Sequence, residues 1–384
     1  MLDVVIVGAG IAGLSAAVSL RRAGHRVRIF ERSALNNELG AAIHVPPNAA
    51  RVLEAWGLDP VAMRLVTVRG ISLGEGSSRR ELNFTPMGDW VRSKYGKPFY
   101  FSHRVDLHDA LRTMAVKPDG IGIPAEICLG QEVVSYDPDE PSVTLANGDI
   151  AKANVVIAAD GLHSVAVKHV LGRANPPQPE KLYNGCFRFL IPAEDIQADP
   201  ATEWWVDNSD GLLRLFTNGK TSNRLVTYPC RDKATEIKQW PLLYRAPIPT
   251  WRKGRLVLAG DAAHPMLPHQ GQGGAQGIED GAVLGLAFYG ATPEQVEQRL
   301  EVYEKTRRNR ASAIQVLSSA GQDQVDMIHE EAAKYVQNVP KTPQEFSQFN
   351  WGHDIVSETL KHLRELDPSF HLPDGFFEGD PYLP

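Results

Sequence analysis

Apolar positions change period twice within the first thirty residues. Asp3 to Val7 (DVVIV) is a short, β-branched and almost wholly apolar run, the pattern of a strand buried on both faces. Gly8-Ala9-Gly10-Ile11-Ala12-Gly13 follows, and a helical stretch then runs from Leu14 to Ala23 and is closed by Gly24. A second apolar run, Val27 to Phe30, ends at Glu31. Buried-strand runs recur at Val155 to Ala159, ending in Asp160-Gly161, and at Leu256 to Ala259, ending in Gly260-Asp261. Residues 126 to 149 alternate and carry Asn147-Gly148, which predicts a small β-meander with a type I′ hairpin. From about Pro176 to Pro249 the chain is rich in Pro, Trp and Thr and poor in helical spacing, so a β-rich second domain is expected. Helical spacing returns over Gln276 to Phe288 and again from Pro293 to Ser319. The second of these is densely charged from Tyr303 to Arg310 and is expected to be a solvated helix.

Strand, glycine turn, helix, strand and acid together make a βαβ dinucleotide fingerprint. Gly8 permits the tight turn, Gly10 lets the backbone approach a pyrophosphate, and Gly13 lets helix and strand pack closely. The helix start offers unpaired N–H groups to the phosphates, and Glu31 is spaced to accept from an adenosine ribose. This spacing leaves NAD and FAD both open. Ligands of open α/β sheets lie at the carboxyl ends of the strands. Asp160 and Asp261 are therefore candidates to hold one long cofactor, with a plain Asp-Gly turn as the alternative for each.

Composition narrows the classes. A chain of 384 residues, 43% hydrophobic and 22% charged, has ordinary globular usage, and its length suggests two or three domains. A net charge of −6 argues against nucleic acid as a partner. Cys128, Cys186 and Cys230 form no Cys-x-x-Cys pair, which argues against a disulfide framework, a zinc site or a dithiol motif. The histidines show no metal-ligand spacing, so no metal is expected. The apolar N-terminus lacks a basic leader segment, and no run reaches the ~18 apolar residues of a membrane helix. A soluble, cytoplasmic protein without a membrane partner is the expectation.

Taken together, GAGIAG with Glu31, VVIAADGLHSVAVK (155–168) and RLVLAGDAAHPMLPHQGQGGAQGIEDG (255–281) resemble the FAD-dependent aromatic-ring hydroxylases. These are the group A flavoprotein monooxygenases, and the salicylate-hydroxylase-like fungal branch is most similar. FSHRVDLH (101–108) and GAAIHVPPN (40–48) fit the same pattern, and the resemblance runs from Met1 to about Gly321. It implies an α/β fold with a Rossmann-like FAD-binding domain of the glutathione-reductase type, assembled from 1–70, 101–171 and 250–320. A β-rich substrate domain would take 71–100 and 172–249, and a C-terminal helical tail 321–384. The implied cofactor is FAD, with NADPH or NADH as a transient co-substrate. The implied partners are O2 and a small aromatic substrate, phenolic or carboxylated, for a monomer or homodimer.

The resemblance also distributes roles. Gly8, Gly10 and Gly13 would hold the pyrophosphate and Glu31 the adenosine ribose, with Arg32, Ala42 and Arg104 near the cofactor. Asp160 belongs to a motif serving FAD and NAD(P)H, and Asp261 would hold the ribityl or pyrophosphate portion. Gly271, Gly273, Gly274 and Ala275 would lie against the isoalloxazine, where the following helix start favours negative charge. The reduced flavin would take up O2 as a C4a-hydroperoxide and pass an electrophilic oxygen to the ring. A base near a substrate hydroxyl would assist that transfer. His44 is the candidate base, with a structural histidine as the alternative. Arg188 is the candidate to hold a carboxylate or phenolate, and Tyr228 to hydrogen-bond the substrate.

One departure stands out. Between Arg231 and Trp240 the chain lacks several elements usual in the family, about the ~30 residues of a supersecondary unit. The substrate domain is thus expected to be shortened near 231–239, which could expose an edge strand. Alternatives to the hydroxylase are a flavoprotein epoxidase of secondary metabolism and a flavin-binding protein that has lost monooxygenase activity. A plain NAD-dependent dehydrogenase would leave the Asp160 and Asp261 strand ends unexplained.

Overall fold

The apolar runs become neighbours in one six-stranded sheet. Its order is Arg252–Lys253, Leu256–Leu258, Val155–Ala158, Asp3–Val7, Arg26–Glu31 and Glu126–Leu129. All are parallel except Arg252–Lys253, which runs antiparallel to its neighbour. The computed structural model describes residues 1–34, 42–179, 185–206, 211–218, 223–230, 235–240, 242–320, 328–372 and 374–378. The chain divides into two compact units, one of 1–38, 108–178 and 243–378, the other of 39–107, 179–242 and 379–384.

The first unit carries the sheet. Asp3–Val7 is central, with the next strand in sequence on one side and Val155–Ala158 on the other, so strand order reverses at its carboxyl end. The helix Ile11–Arg22 connects the first two strands, and the helix Gly273–Phe288 packs along it. Gly277, Gly281 and Gly285 recur every four residues and form one stripe on that face. A Cβ on Gly281 would lie 2.5 Å from the Ser15 carbonyl carbon, and one on Gly285 only 1.9 Å from Ser19 Oγ. Hydrogen in place of a side chain lets the two backbones approach.

Several expectations shift in this unit. Glu126–Leu129 joins the parallel sheet, so the antiparallel meander comprises only Val133–Asp137, Ser142–Leu145 and Ile150–Lys152. Its Asn147-Gly148 hairpin is not type I′. Only Gly148 has positive φ, at 92°, and its N–H donates to Leu145 O, which gives a type I turn followed by a left-handed glycine. The charged helix Val296–Leu317 is not a solvated one, because Tyr303 and Arg307 are fully buried and Arg310 is nearly so. The tail does not stand apart. Its Ile355–Leu366 helix packs on both Gly273–Phe288 and Val296–Leu317, so the described tail from residue 328 belongs to the first unit.

The second unit is built from small sheets. Arg224–Thr227, Leu212–Thr217, Gly70–Glu75 and Glu81–Pro86 make a four-stranded sheet in that order. Cys186–Leu190 pairs antiparallel with Thr235–Trp240 in a separate two-stranded sheet. Ala42–Val45 and Val66–Thr67 both pair with Tyr100–His103. That pairing draws residues 39–70 and 101–107 into the second unit, where the sequence had grouped them with the nucleotide domain. Among the described residues no helix is long and apolar enough to cross a membrane.

Candidate functional site

In the first unit, register brings the strand ends level. Val7 pairs with Ala158 and with Phe30, and Ala158 pairs with Leu258. The residues that follow, Gly8, Glu31, Asp160 and Asp261, therefore line the carboxyl edge of one parallel sheet. A Cβ on Gly8 would meet Ala159 O at 2.3 Å, and one on Gly13 would meet Gly8 O at 2.0 Å. Those two glycines are required by close backbone approach. A Cβ on Gly10 would meet nothing within 4 Å, so its lack of a side chain serves a ligand rather than the fold. Gly10 caps the Ile11–Arg22 helix with no side chain accepting from the first turn. The N–H groups there are left to a partner such as a phosphate.

Glu31 is already organised. Its Oε2 accepts from Ala9 N and its Oε1 from Ser33 N, both at 2.8 Å. Arg32 is exposed beside it. Asp160 Oδ2 accepts from Tyr136 OH at 2.8 Å and Val165 N at 3.0 Å, while Oδ1 is buried without a partner. A buried acceptor with an unused lone pair suits a ligand hydroxyl. Asp261 is exposed between buried Gly260 and Ala262. Gly271 has φ of 61°, and the next helix begins at Gly273, three residues before the expected start. Gly273, Gly274 and Ala275 thus form its uncapped first turn, and a Cβ on Gly273 would face open space. Uncapped helix starts, an open glycine and an orphaned carboxylate oxygen fit a cofactor with a pyrophosphate and several hydroxyls.

Sequence reasoning missed the residues that brace this edge. The imidazole of His108 donates from Nε2 to Ala9 O at 2.6 Å and holds the glycine turn. Tyr136 fixes Asp160, and burial together with the Asp160 carboxylate raises its phenol well above the ordinary value. Arg245 and Asp280 grip the turn at Gly260.

The second unit holds the other candidates. Ala42 pairs with His103, and Arg104 opens the Arg104–Val116 helix directly after that strand. Gly40 and Ala41 of the same motif lie outside the described residues. His44 sits among rings, with Tyr228, Phe99 and Phe101 centroids at 4.9, 5.4 and 5.5 Å. Its Nε2 is buried and has no partner. Burial pushes the imidazole down to about 4, and the positive charge of Arg188 adds to the shift. Tyr228 OH donates to Ala42 O at 3.3 Å, and burial raises its phenol to about 12 against the opposing pull of Arg188. Arg188 itself is exposed on the Cys186–Leu190 strand. All three candidates therefore sense one another within this unit.

A dinucleotide turn at the switch point of a parallel sheet, with carboxylates at two neighbouring strand ends, defines a nucleotide-cofactor enzyme of the Rossmann type. The chain belongs to the FAD binding domain family, which it matches over residues 1–236 and 220–318. It is 38% identical over 426 aligned residues to the FAD-dependent monooxygenase cfoG of Aspergillus candidus, covering 98% of each chain. Hispidin-3-hydroxylase of Neonothopanus nambi is 31% identical, covering 95% of this chain and 97% of that one. The crystal structure of FqzB matches with a TM-score of 0.71 at 25% identity, covering 98% and 96% of the two chains. The chain is thus an FAD-dependent monooxygenase of the aromatic-hydroxylase family, and FAD is its cofactor. The cfoG alignment of 426 positions exceeds the 384 residues here by 42, so at least that many have no counterpart in this chain. The two stretches matching the family overlap at 220–236, around the segment that reads as shortened.

Proposed function

We propose that the chain hydroxylates a small phenolic or carboxylated aromatic ring, with His44, Arg188 and Tyr228 as its substrate-facing residues. The observation that carries this reading is the unpartnered, buried Nε2 of His44 inside an aromatic cluster beside a cation. FAD, once reduced by NADH or NADPH and exposed to O2, supplies the electrophilic oxygen. The protein supplies the rest. Its pKa near 4 keeps His44 neutral at physiological pH, so Nε2 serves as a hydrogen-bond acceptor that orients a substrate hydroxyl rather than as a strong base. Arg188 stabilises a phenolate or a ring carboxylate. Tyr228, with its pKa raised to about 12, stays protonated and serves no base role; its hydroxyl would donate to a substrate by leaving the 3.3 Å bond to Ala42 O. Phe99 and Phe101, both buried, pack against the imidazole and exclude water from it. The kinship to a hispidin-3-hydroxylase supports an aromatic hydroxyl-bearing substrate.

The reading extends to a cytoplasmic monomer or homodimer, which cell fractionation and size-exclusion chromatography test. For the reaction, NADH and NADPH oxidation, O2 uptake and hydroxylated product are followed with a panel of phenols and benzoates. Stimulation by one of them with matching product formation is expected. The shortened stretch near 231–239 favours a second outcome, in which flavin is bound and reduced but released electrons appear only as hydrogen peroxide. A panel that yields peroxide and no hydroxylated ring would replace the hydroxylase reading with that one.

A further inference from the structure

The turn Gly260–Ala262 is gripped at both ends by charges buried in the first unit. At its start, Gly260 N–H donates to Asp280 Oδ2 at 2.8 Å, and the same oxygen meets His264 Nε2 at 2.7 Å. Asp280 Oδ1 accepts from Arg307 Nε at 2.8 Å, and Arg307 continues to Glu279 and to the Gln276 side chain. At the other end, Arg245 Nη2 donates to the carbonyl oxygens of Asp261 at 3.1 Å and Ala262 at 2.5 Å. The Arg245 carbonyl is in turn held by Gln315 Nε2 at 2.6 Å. His264, Asp280 and Arg307 are 0% exposed and Arg245 3%.

Such a network is a poor device for stability alone, since apolar side chains of similar volume often hold a core as well or better. What it does fix is geometry. A three-residue turn fraying at its N–H or at its carbonyls would swing its middle residue, and that residue is the exposed Asp261. Burial opposes ionisation of Asp280, yet His264 and Arg307 hold its carboxyl below the usual range, so the grip stays charged. Burial also disfavours the Arg245 charge, which Asp261 and Asp160 support. The Arg245 Nε remains buried without a partner.

We propose that Arg245 and Asp280 are positioning residues that set Asp261 for the flavin-bearing half of FAD. They leave the adenosine half to the turn between Gly8 and Glu31. The inference rests on Asp261 contacting FAD. Apoprotein is therefore titrated separately with FAD and with ADP, which probes the adenosine end alone. Arg245→Met is expected to raise the FAD Kd by about tenfold or more and to move the ADP Kd by less than about twofold. Arg245→Lys should recover part of the loss, and Asp261→Ala should reproduce the selective pattern. Asp280→Asn, which keeps an acceptor for Gly260 N–H but loses the charge, gives a second variant should the methionine protein fail to fold. Arg21→Met serves as the control, because Arg21 braces the carbonyls of Met114, Ala115, Lys117 and Gly122 instead. It should lower Tm while leaving the ratio of FAD to ADP affinity unchanged. Equal loss of FAD and ADP binding in the Arg245 variants would show a merely structural role and overturn the proposal. Wild-type FAD affinity in those variants alongside a defective Asp261→Ala protein would overturn it too. Wild-type affinity in Asp261→Ala would instead remove Asp261 as the contact.

Discussion

His44 combines two properties that rarely coincide, a buried unpaired nitrogen and a depressed pKa with a named cause. Asparagine at this position keeps a polar group but not the imidazole acceptor. His44→Asn is expected to lower the hydroxylation rate by about tenfold or more with the FAD visible spectrum retained. Loss of flavin in that variant would assign His44 to the cofactor instead. The same residue shapes stability against pH. In the unfolded chain an imidazole takes its proton near pH 6.5, whereas folded His44 resists until about 4. The folded state therefore binds fewer protons in that window, and its stability falls as pH drops from 6.5 towards 4. His25 acts in the same direction, buried between Leu2 N and Phe288 O. Removing the His44 share should spare about 2 kcal/mol of acid sensitivity between about pH 7 and pH 4.5. Denaturant melts of wild type and His44→Asn at pH 7 and pH 4.5 check this, and equal acid losses in both would contradict it.

Glycines that look alike in the sequence act differently in their elements. Gly10 has extended backbone at φ −75° and ψ −177°, with open space where a Cβ would point. Gly10→Ala should fold with an unchanged Tm and bind FAD at least about tenfold more weakly, because the methyl stands in the path of the phosphates. Gly281 faces the Ser15 backbone of the neighbouring helix. Gly281→Ala should cost about 1–3 kcal/mol of stability as the helices are forced apart. A Gly10 variant that melts early, or a Gly281 variant that does not, would reverse these assignments. The contrast shows what was legible. The turn from Val7 to Glu31 is a local code, readable because strand, turn, helix and acid follow within thirty residues. Asp160 and Asp261 were readable because buried strand runs announce their own ends. Asp280, Arg245 and Tyr136 were not, since each acts through a partner that only tertiary packing supplies. Arg307 was hidden more deeply. It sits in a run of charges that resembles a solvated helix face, and only its burial against Glu279 and Asp280 reveals a core residue.

At the scale of the whole molecule, the shortening expected near 231–239 bears on the edge of one sheet. The cfoG alignment holds at least 42 positions that this chain lacks, and the two stretches of the family match overlap at 220–236. Arg224–Thr227 lies within that overlap and Thr235–Trp240 begins at its end, and the two strands belong to different sheets. Arg224–Thr227 pairs with Leu212–Thr217 on one side and with no described strand on the other. Leu225 and Val226 on it are 43% and 45% exposed. A short edge strand with exposed apolar side chains and no described strand on its outer side is a template for pairing between molecules. Self-association that grows with protein concentration is therefore expected, and Val226→Lys should suppress it by placing a charge on the edge. Light scattering across a concentration series reads the effect, and flavin content reports that the first unit is undisturbed. If wild type stays monodisperse throughout the series, the edge is covered from within the chain. If both proteins associate alike, the contact lies elsewhere on the surface.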